Sequence, residues 1–252
     1  MSYPPPPPSS ESPPPYDLPL RPPMENVFNL HRGSIWLLKD FCDMLHATYT
    51  NSSQFGIASI QHRKRLYNDF QHEFIVLDVV PFIAGTSAPD PAGPHTYIEI
   101  GRVSDEARIS FFGLWGFAFD EVIVLRQEDE ARILAPASQD PSQDFQSRAG
   151  ERLATLSWPD GIPNLVDVFS LITQLAVTFP YYNILTHQCF WLVRAIYDTL
   201  RFGYSPFLED TGSKFRKKAR FLVRLVTPRP PPAILEICNR QRRWRQLNDL
   251  GL

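Results

Sequence analysis

The stretch Tyr181-Tyr182-Asn183-Ile184-Leu185-Thr186-His187-Gln188-Cys189-Phe190-Trp191-Leu192-Val193-Arg194-Ala195-Ile196-Tyr197-Asp198-Thr199-Leu200-Arg201-Phe202-Gly203 decides how this chain is read. It divides into a short extended piece, a polar triplet (Thr186, His187, Gln188) and an amphipathic helix opened by Cys189. Phe190, Val193, Tyr197 and Leu200 recur at helical spacing on one face, while Arg194, Asp198 and Arg201 turn away. Gly203 stands where a helix-terminating glycine is expected. A cysteine at a helix N-terminus meets the positive end of the dipole and free backbone N–H groups, which favour the thiolate. A free cysteine is also a common buried core residue, and this stretch alone carries both readings.

The next signal outward is Phe70-Gln71-His72-Glu73-Phe74-Ile75-Val76-Leu77-Asp78-Val79-Val80-Pro81, rich in β-branched and aromatic residues and closed by proline. Alternation puts His72, Phe74 and Val76 on one face and Glu73, Ile75, Leu77 and Val79 on the other. After a Gly/Pro/Ser/Ala/Asp loop over 83–94, His95–Arg102 reads as a second strand antiparallel to the first. Glu121–Arg126 reads as a third strand and Arg132–Ala135 as a fourth. Upstream, Ile35, Leu38, Phe41, Cys42, Leu45 and Tyr49 mark a helix with Ser34 as N-cap, and Cys42 lies on its apolar stripe. His62-Arg63-Lys64-Arg65 reads as a solvated loop or turn. Asn164 caps a helix with an apolar stripe through Leu165, Val168, Phe169, Ile172 and Leu175, and Pro180 stops it. The fold class that follows is α+β, an antiparallel sheet packed against helices that include the one opened by Cys189.

Composition sets the flanks. The 252 residues carry a net charge of −2 and are 43% hydrophobic, which is sufficient for one domain with a sizeable core. Eleven of the 25 prolines lie in the first 23 residues. Residues 1–24 therefore read as a disordered tail, 25–227 as the α+β domain and 228–252 as a basic C-terminal segment. Pro13-Pro14-Pro15-Tyr16 matches the Pro-Pro-x-Tyr ligand of WW domains, which read a preformed polyproline helix. From Lys214 to Arg245 there are eleven basic residues against one acidic residue, Glu236. That segment reads either as a solvated, charge-balancing face or as a contact for an anionic surface.

Cys42, Cys189 and Cys238 are odd in number and far apart, so neither a disulfide framework nor metal-ligand spacing is visible. No cofactor motif appears. The longest apolar segment, near Leu165–Phe179, is interrupted by Asp167 and Gln174 and is too short for a transmembrane span. The N-terminus lacks the pattern of a secretory signal. The expectation is an intracellular, cytoplasmic protein.

Two segments carry a family resemblance. Phe70–Leu77, with His72, resembles the histidine strand of circularly permuted papain-like thiol proteins, the branch of lecithin retinol acyltransferase-like and PPPDE-type enzymes. Tyr182-Asn183-Ile184-Leu185-Thr186-His187-Gln188-Cys189-Phe190-Trp191 resembles their later cysteine helix, and the order of the two is that of the permuted branch. A group of fungal proteins with His-Glu-Phe and Tyr-Asn-x-x-Thr-x-Gln-Cys segments looks similar as well. The resemblance implies a permuted papain-like fold and a hydrolase or acyltransferase acting on an amide, thioester or ester. It assigns Cys189 as nucleophile and His72 as base, the reaction passing through an acyl-enzyme on Cys189. Gln188, where asparagine is usual in the family, is a candidate oxyanion donor. His95 or Thr96 could orient the imidazole, and Arg102 is expected to pair with Glu73 or Glu99. The departures at Gln188 and Phe190-Trp191 leave open a pseudo-enzyme that kept the fold. The alternative is a non-catalytic interaction module using the Pro13, Pro14, Tyr16 tail and the basic C-terminus.

Overall fold

A computed structural model describes residues 32–48, 54–67, 70–83, 86, 88–104, 115–134, 150–158, 163–178, 181–183, 189–204, 207–211, 236 and 239. Eight strands are present among them: β1 (Ile35–Leu37), β2 (Phe55–Tyr67), β3 (Phe70–Pro81), β4 (Thr96–Ser104), β5 (Trp115–Val124), β6 (Glu151–Ser157), β7 (Tyr181–Asn183) and β8 (Leu208–Thr211). Four helices accompany them: α1 (Leu38–Ala47), α2 (Gln127–Leu134), α3 (Leu165–Thr178) and α4 (Cys189–Gly203). Seven strands lie in the order β1-β5-β4-β3-β2-β6-β8, every pair antiparallel, and β7 pairs with the start of β5. The architecture is α+β.

Alternation along β3 divides the interior in two. Ile75, Leu77 and Val79 join Ile98, Ile100, Val122 and Val124 beneath α1, α3 and α4, whose Phe41, Leu45, Phe169, Ile172, Leu192, Val193 and Ile196 complete the main core. Phe74 and Val76 point the other way and cluster with Tyr97, Leu125 and Ile133 of α2. Fully burying each such aliphatic or aromatic side chain contributes roughly 1.5–3 kcal/mol. The central strands are therefore covered on both sides, and a one-residue slip of β3 would exchange its two faces.

Several local expectations hold. β3 spans Phe70–Pro81 as its β-branched run suggests, and β4 is its antiparallel partner, with Phe74 opposite Gly101. Asn164 caps α3 by accepting a 2.9 Å hydrogen bond at Oδ1 from the Val166 amide. Others are corrected. His62-Arg63-Lys64-Arg65 is not a solvated loop. It lies within β2, paired to β3 on one side and β6 on the other, and all but Arg65 are buried. Arg132–Ala135 is no strand, since residues 127–134 form α2 with Glu128, Asp129 and Glu130 favourably placed in its first turn. Leu37, not Ser34, occupies the N-cap of α1, because Ile35–Leu37 pair with β5 first.

Gly150 leads the chain into β6 at φ +62°, where a Cβ would stand 2.7 Å from the Lys64 carbonyl oxygen. Glycine allows that backbone approach, and Arg63 uses it, donating from one guanidinium nitrogen to the Gly150 carbonyl at 2.9 Å.

Candidate functional site

The two segments singled out by the resemblance meet at one end of the sheet. Cys189 is the first residue of α4, and Trp191, two residues on, has its ring centre 5.9 Å from the Arg102 guanidinium of β4. Arg102 lies one residue beyond the Phe74–Gly101 pair, so it faces the side of the sheet opposite Gly101. From there α4 runs towards β2, where the Tyr197 and His62 rings are 6.0 Å apart. Its far end is tied to β8. Tyr197 donates its hydroxyl to Glu209 at 2.9 Å, and Arg201 pairs with the same carboxylate at 3.0 Å.

The imidazole of His72 is on the other face. It stacks on Phe74, 6.2 Å between centres with 12° between planes, and its Nε2 lies over Gly101, 3.2 Å from where a Cβ would be. Phe74 in turn carries the Arg65 guanidinium 4.0 Å above its ring. Arg65 holds Glu99 through both guanidinium nitrogens. Burial disfavours the imidazolium, the Arg65 cation adds to that effect, and Glu73 offsets only part of it, so the His72 pKa falls to about 4. At neutral pH the ring is uncharged. The sheet stands between it and the apolar face of α4. The side chain of Cys189, and Gln188 altogether, lie outside the described residues, as do Pro13, Pro14, Tyr16 and the basic clusters at 214–220 and 240–245.

The helix side of this sheet end holds groups that sequence reasoning passed over. His62 Nε2 is 2.6 Å from Glu73 Oε2, and Lys64 Nζ is 3.6 Å from Glu73 Oε1, all three residues being buried. Arg102 pairs with Asp120, Nε to Oδ1 at 2.6 Å and a terminal nitrogen to Oδ2 at 2.8 Å. These ion pairs neutralise one another in register across β2, β3, β4 and β5. Their geometry is structural, since a charge is tolerated inside a sheet when its partner is built in beside it. The signal for the first group was present: a basic run and an acidic strand start separated by Asn68-Asp69, with Lys64 falling opposite Glu73 in the hairpin register.

His95 and Asp78 are also brought together, His95 Nδ1 lying 2.7 Å from Asp78 Oδ1. This pair is on the His72 face but at the opposite end of β3, so His95 does not orient His72. Cys42 is buried in the α1–α3 contact, with Sγ 2.7 Å from the Thr173 hydroxyl and 3.5 Å from the Phe169 carbonyl. Burial pushes its thiol pKa up to about 11, so it is a core residue with no accessible thiolate. No helix of the described residues is long and apolar enough to cross a membrane. Comparison with protein-family models, curated proteins and solved structures finds nothing that matches this chain.

Proposed function

We propose that this protein is an interaction module, non-catalytic at the Cys189 helix, whose α+β domain carries two binding segments. The proline-rich segment with Pro13, Pro14 and Tyr16 is the docking element for a WW-type domain, and the basic C-terminal segment meets an anionic surface. What supports the reading is the orientation of His72. A thiol enzyme needs an imidazole within hydrogen-bond reach of its sulfur, and this one is turned to the face away from α4 and stacked on Phe74. The test is binding of the full chain to an isolated WW domain. Binding that disappears in Tyr16→Ala and persists in Cys189→Ser is the expected result; equal binding by wild type and Tyr16→Ala would remove the docking element.

A second reading has its own observation. Cys189 is the first residue of a 15-residue helix whose Trp191 lies beside Arg102 of β4. That position suits a cysteine-dependent hydrolase or acyltransferase acting on an amide, thioester or ester in a permuted papain-like fold. Alkylation of Cys189 by iodoacetamide across pH separates the two. The interaction module predicts labelling near the ordinary thiol pKa, about 8.5, unchanged by His72→Ala. Fast labelling below neutral pH that collapses in His72→Ala would transfer the conclusion to the thiol enzyme.

A further inference from the structure

His95 differs from the other histidines whose side chains are described. His62 is buried, His72 is turned inward over Gly101, and exposed His46 has only a 3.4 Å contact to the Ser170 hydroxyl. His95 alone combines a carboxylate partner with access to solvent. Its side chain is 48% exposed, that of Asp78 only 14%, and the two are 2.7 Å apart. The carboxylate accepts from Nδ1–H, which fixes the tautomer and turns the Nε2 lone pair outward. The ring plane is held as well, stacked on Tyr97 at 6.3 Å and 17°. The connection that delivers His95 to β4 touches the sheet where the Asp90 amide donates to the Pro81 carbonyl at 2.8 Å, and it then turns with the Gly93 amide donating to the Asp90 carbonyl at 3.1 Å. A rigid element and a fixed tautomer are what a reactive imidazole requires.

We propose that the Asp78–His95 pair is a reactive centre separate from the α4 helix, in which His95 Nε2 takes the acyl group of activated esters and thioesters and Asp78 positions the ring. Nε2 adds to the acyl carbon, and the bond to the leaving oxygen or sulfur breaks with its electron pair. The resulting acyl-imidazolium keeps its proton on Nδ1, hydrogen-bonded to Asp78. Water then adds to the acyl carbon and gives up one proton to the departed alkoxide or thiolate, the bond to Nε2 breaks with its electron pair returning to the ring, and the carboxylic acid leaves His95 as neutral imidazole. The net change is ester or thioester plus water to acid plus alcohol or thiol, with no further reactant. The charged or titratable groups around the pair are Asp78 on β3, Tyr97 on β4 and Glu130 on α2, the last held by Arg32 at 2.8 Å. Burial raises the pKa of Asp78, which makes its carboxylate a stronger acceptor for Nδ1–H.

The experiment is hydrolysis of p-nitrophenyl acetate by the full chain, with Cys189→Ser and Cys238→Ser in every variant so that no accessible thiol contributes. His95→Gln is expected to lower the rate about a hundredfold, the low end of what a positioned acid–base side chain supplies. His46→Gln is expected to keep the parent rate. Asp78→Asn is expected to reduce the rate, because the ring loses the carboxylate that holds it, and Asp78→Glu to restore part of it. A His95→Gln rate equal to the parent overturns the proposal, and so does a loss in His46→Gln as large as in His95→Gln. An undiminished rate in Asp78→Asn does the same, as does an Asp78→Glu rate no higher than that of Asp78→Asn. His95 is on the surface, so its variant carries the test alone if Asp78→Asn does not fold.

Discussion

Acid should loosen this protein through His72, by an amount its surroundings determine. The ring is held neutral by burial and by Arg65, with a pKa of about 4 in place of the ordinary 6.5. A histidine whose folded pKa is depressed contributes stability that is complete above pH 6.5, where neither state is protonated. It is lost as pH falls through 6.5 towards 4, because the unfolded chain takes up the proton first. The full difference corresponds to about 3 kcal/mol, and about 2 kcal/mol of it has gone by pH 5. Two carboxyls pull in the opposite direction. Burial raises Asp78 and Glu121, so their contributions favour the folded state at low pH and fade as pH rises. A comparison with His72→Phe isolates the imidazole, since the replacement keeps a ring against Phe74 and does not titrate. Urea unfolding of both proteins at pH 8, 6.5 and 5 gives the difference directly. The variant should gain on wild type by about 2 kcal/mol between pH 8 and pH 5. Curves that remain parallel across that range would refute the inward placement of the ring, and with it the argument that His72 faces away from α4.

Three further outcomes follow from contacts already described. Gly101→Ala places a methyl 3.2 Å from His72 Nε2 and should cost about 1 kcal/mol, a penalty relieved in the His72→Ala background of a double-mutant cycle. Arg102→Met leaves the Asp120 carboxylate without its bidentate partner under the first turn of α4. It should cost about 3–5 kcal/mol, read as a shift in the urea midpoint, and removing both charges together should cost less. Cys42, with its thiol pKa pushed up to about 11, should resist alkylation at pH 8 in the native protein and react at once in urea. Labelling of Cys42 without denaturant would show the α1–α3 contact opening.

The parts of the fold legible in the sequence are those where apolar periodicity and punctuation agree. β3 has both, with a β-branched run ended by Pro81, and α3 has an apolar stripe behind a capping asparagine. β2 has neither over His62–Arg65, since its side chains are polar on both faces, and only the charges facing them across the hairpin explain why they are buried. The Ile133-Leu134 pair at the end of α2 looks like a strand fragment until the three acidic residues of its first turn are counted as a helix start. At the candidate site, the separation of His72 from Glu73, Ile75 and Leu77 is written in the alternation of β3. Which of those two faces receives α4 is set by Leu192, Val193 and Ile196 packing on Ile75 and Leu77, a long-range choice that no local pattern encodes.

The strand order has a consequence for how the molecule assembles and comes apart. β2, β3, β4 and β5 form a meander of chain neighbours, so the centre of the sheet closes through comparatively short loops. β1 must find β5 across some eighty intervening residues, and β6 and β8 must return to the outer side of β2. The meander is the natural nucleus, and the borders join it late. Amide exchange should run in the reverse sense, with protection longest in Ile75–Val79 and Ile98–Ile100 and shortest in Ile35–Leu37 and Leu208–Thr211. The anchor of Tyr197 and Arg201 on Glu209 ties the end of α4 to that late-joining border. Release of β8 would therefore free the last turns of the helix while leaving its first turn seated over Arg102.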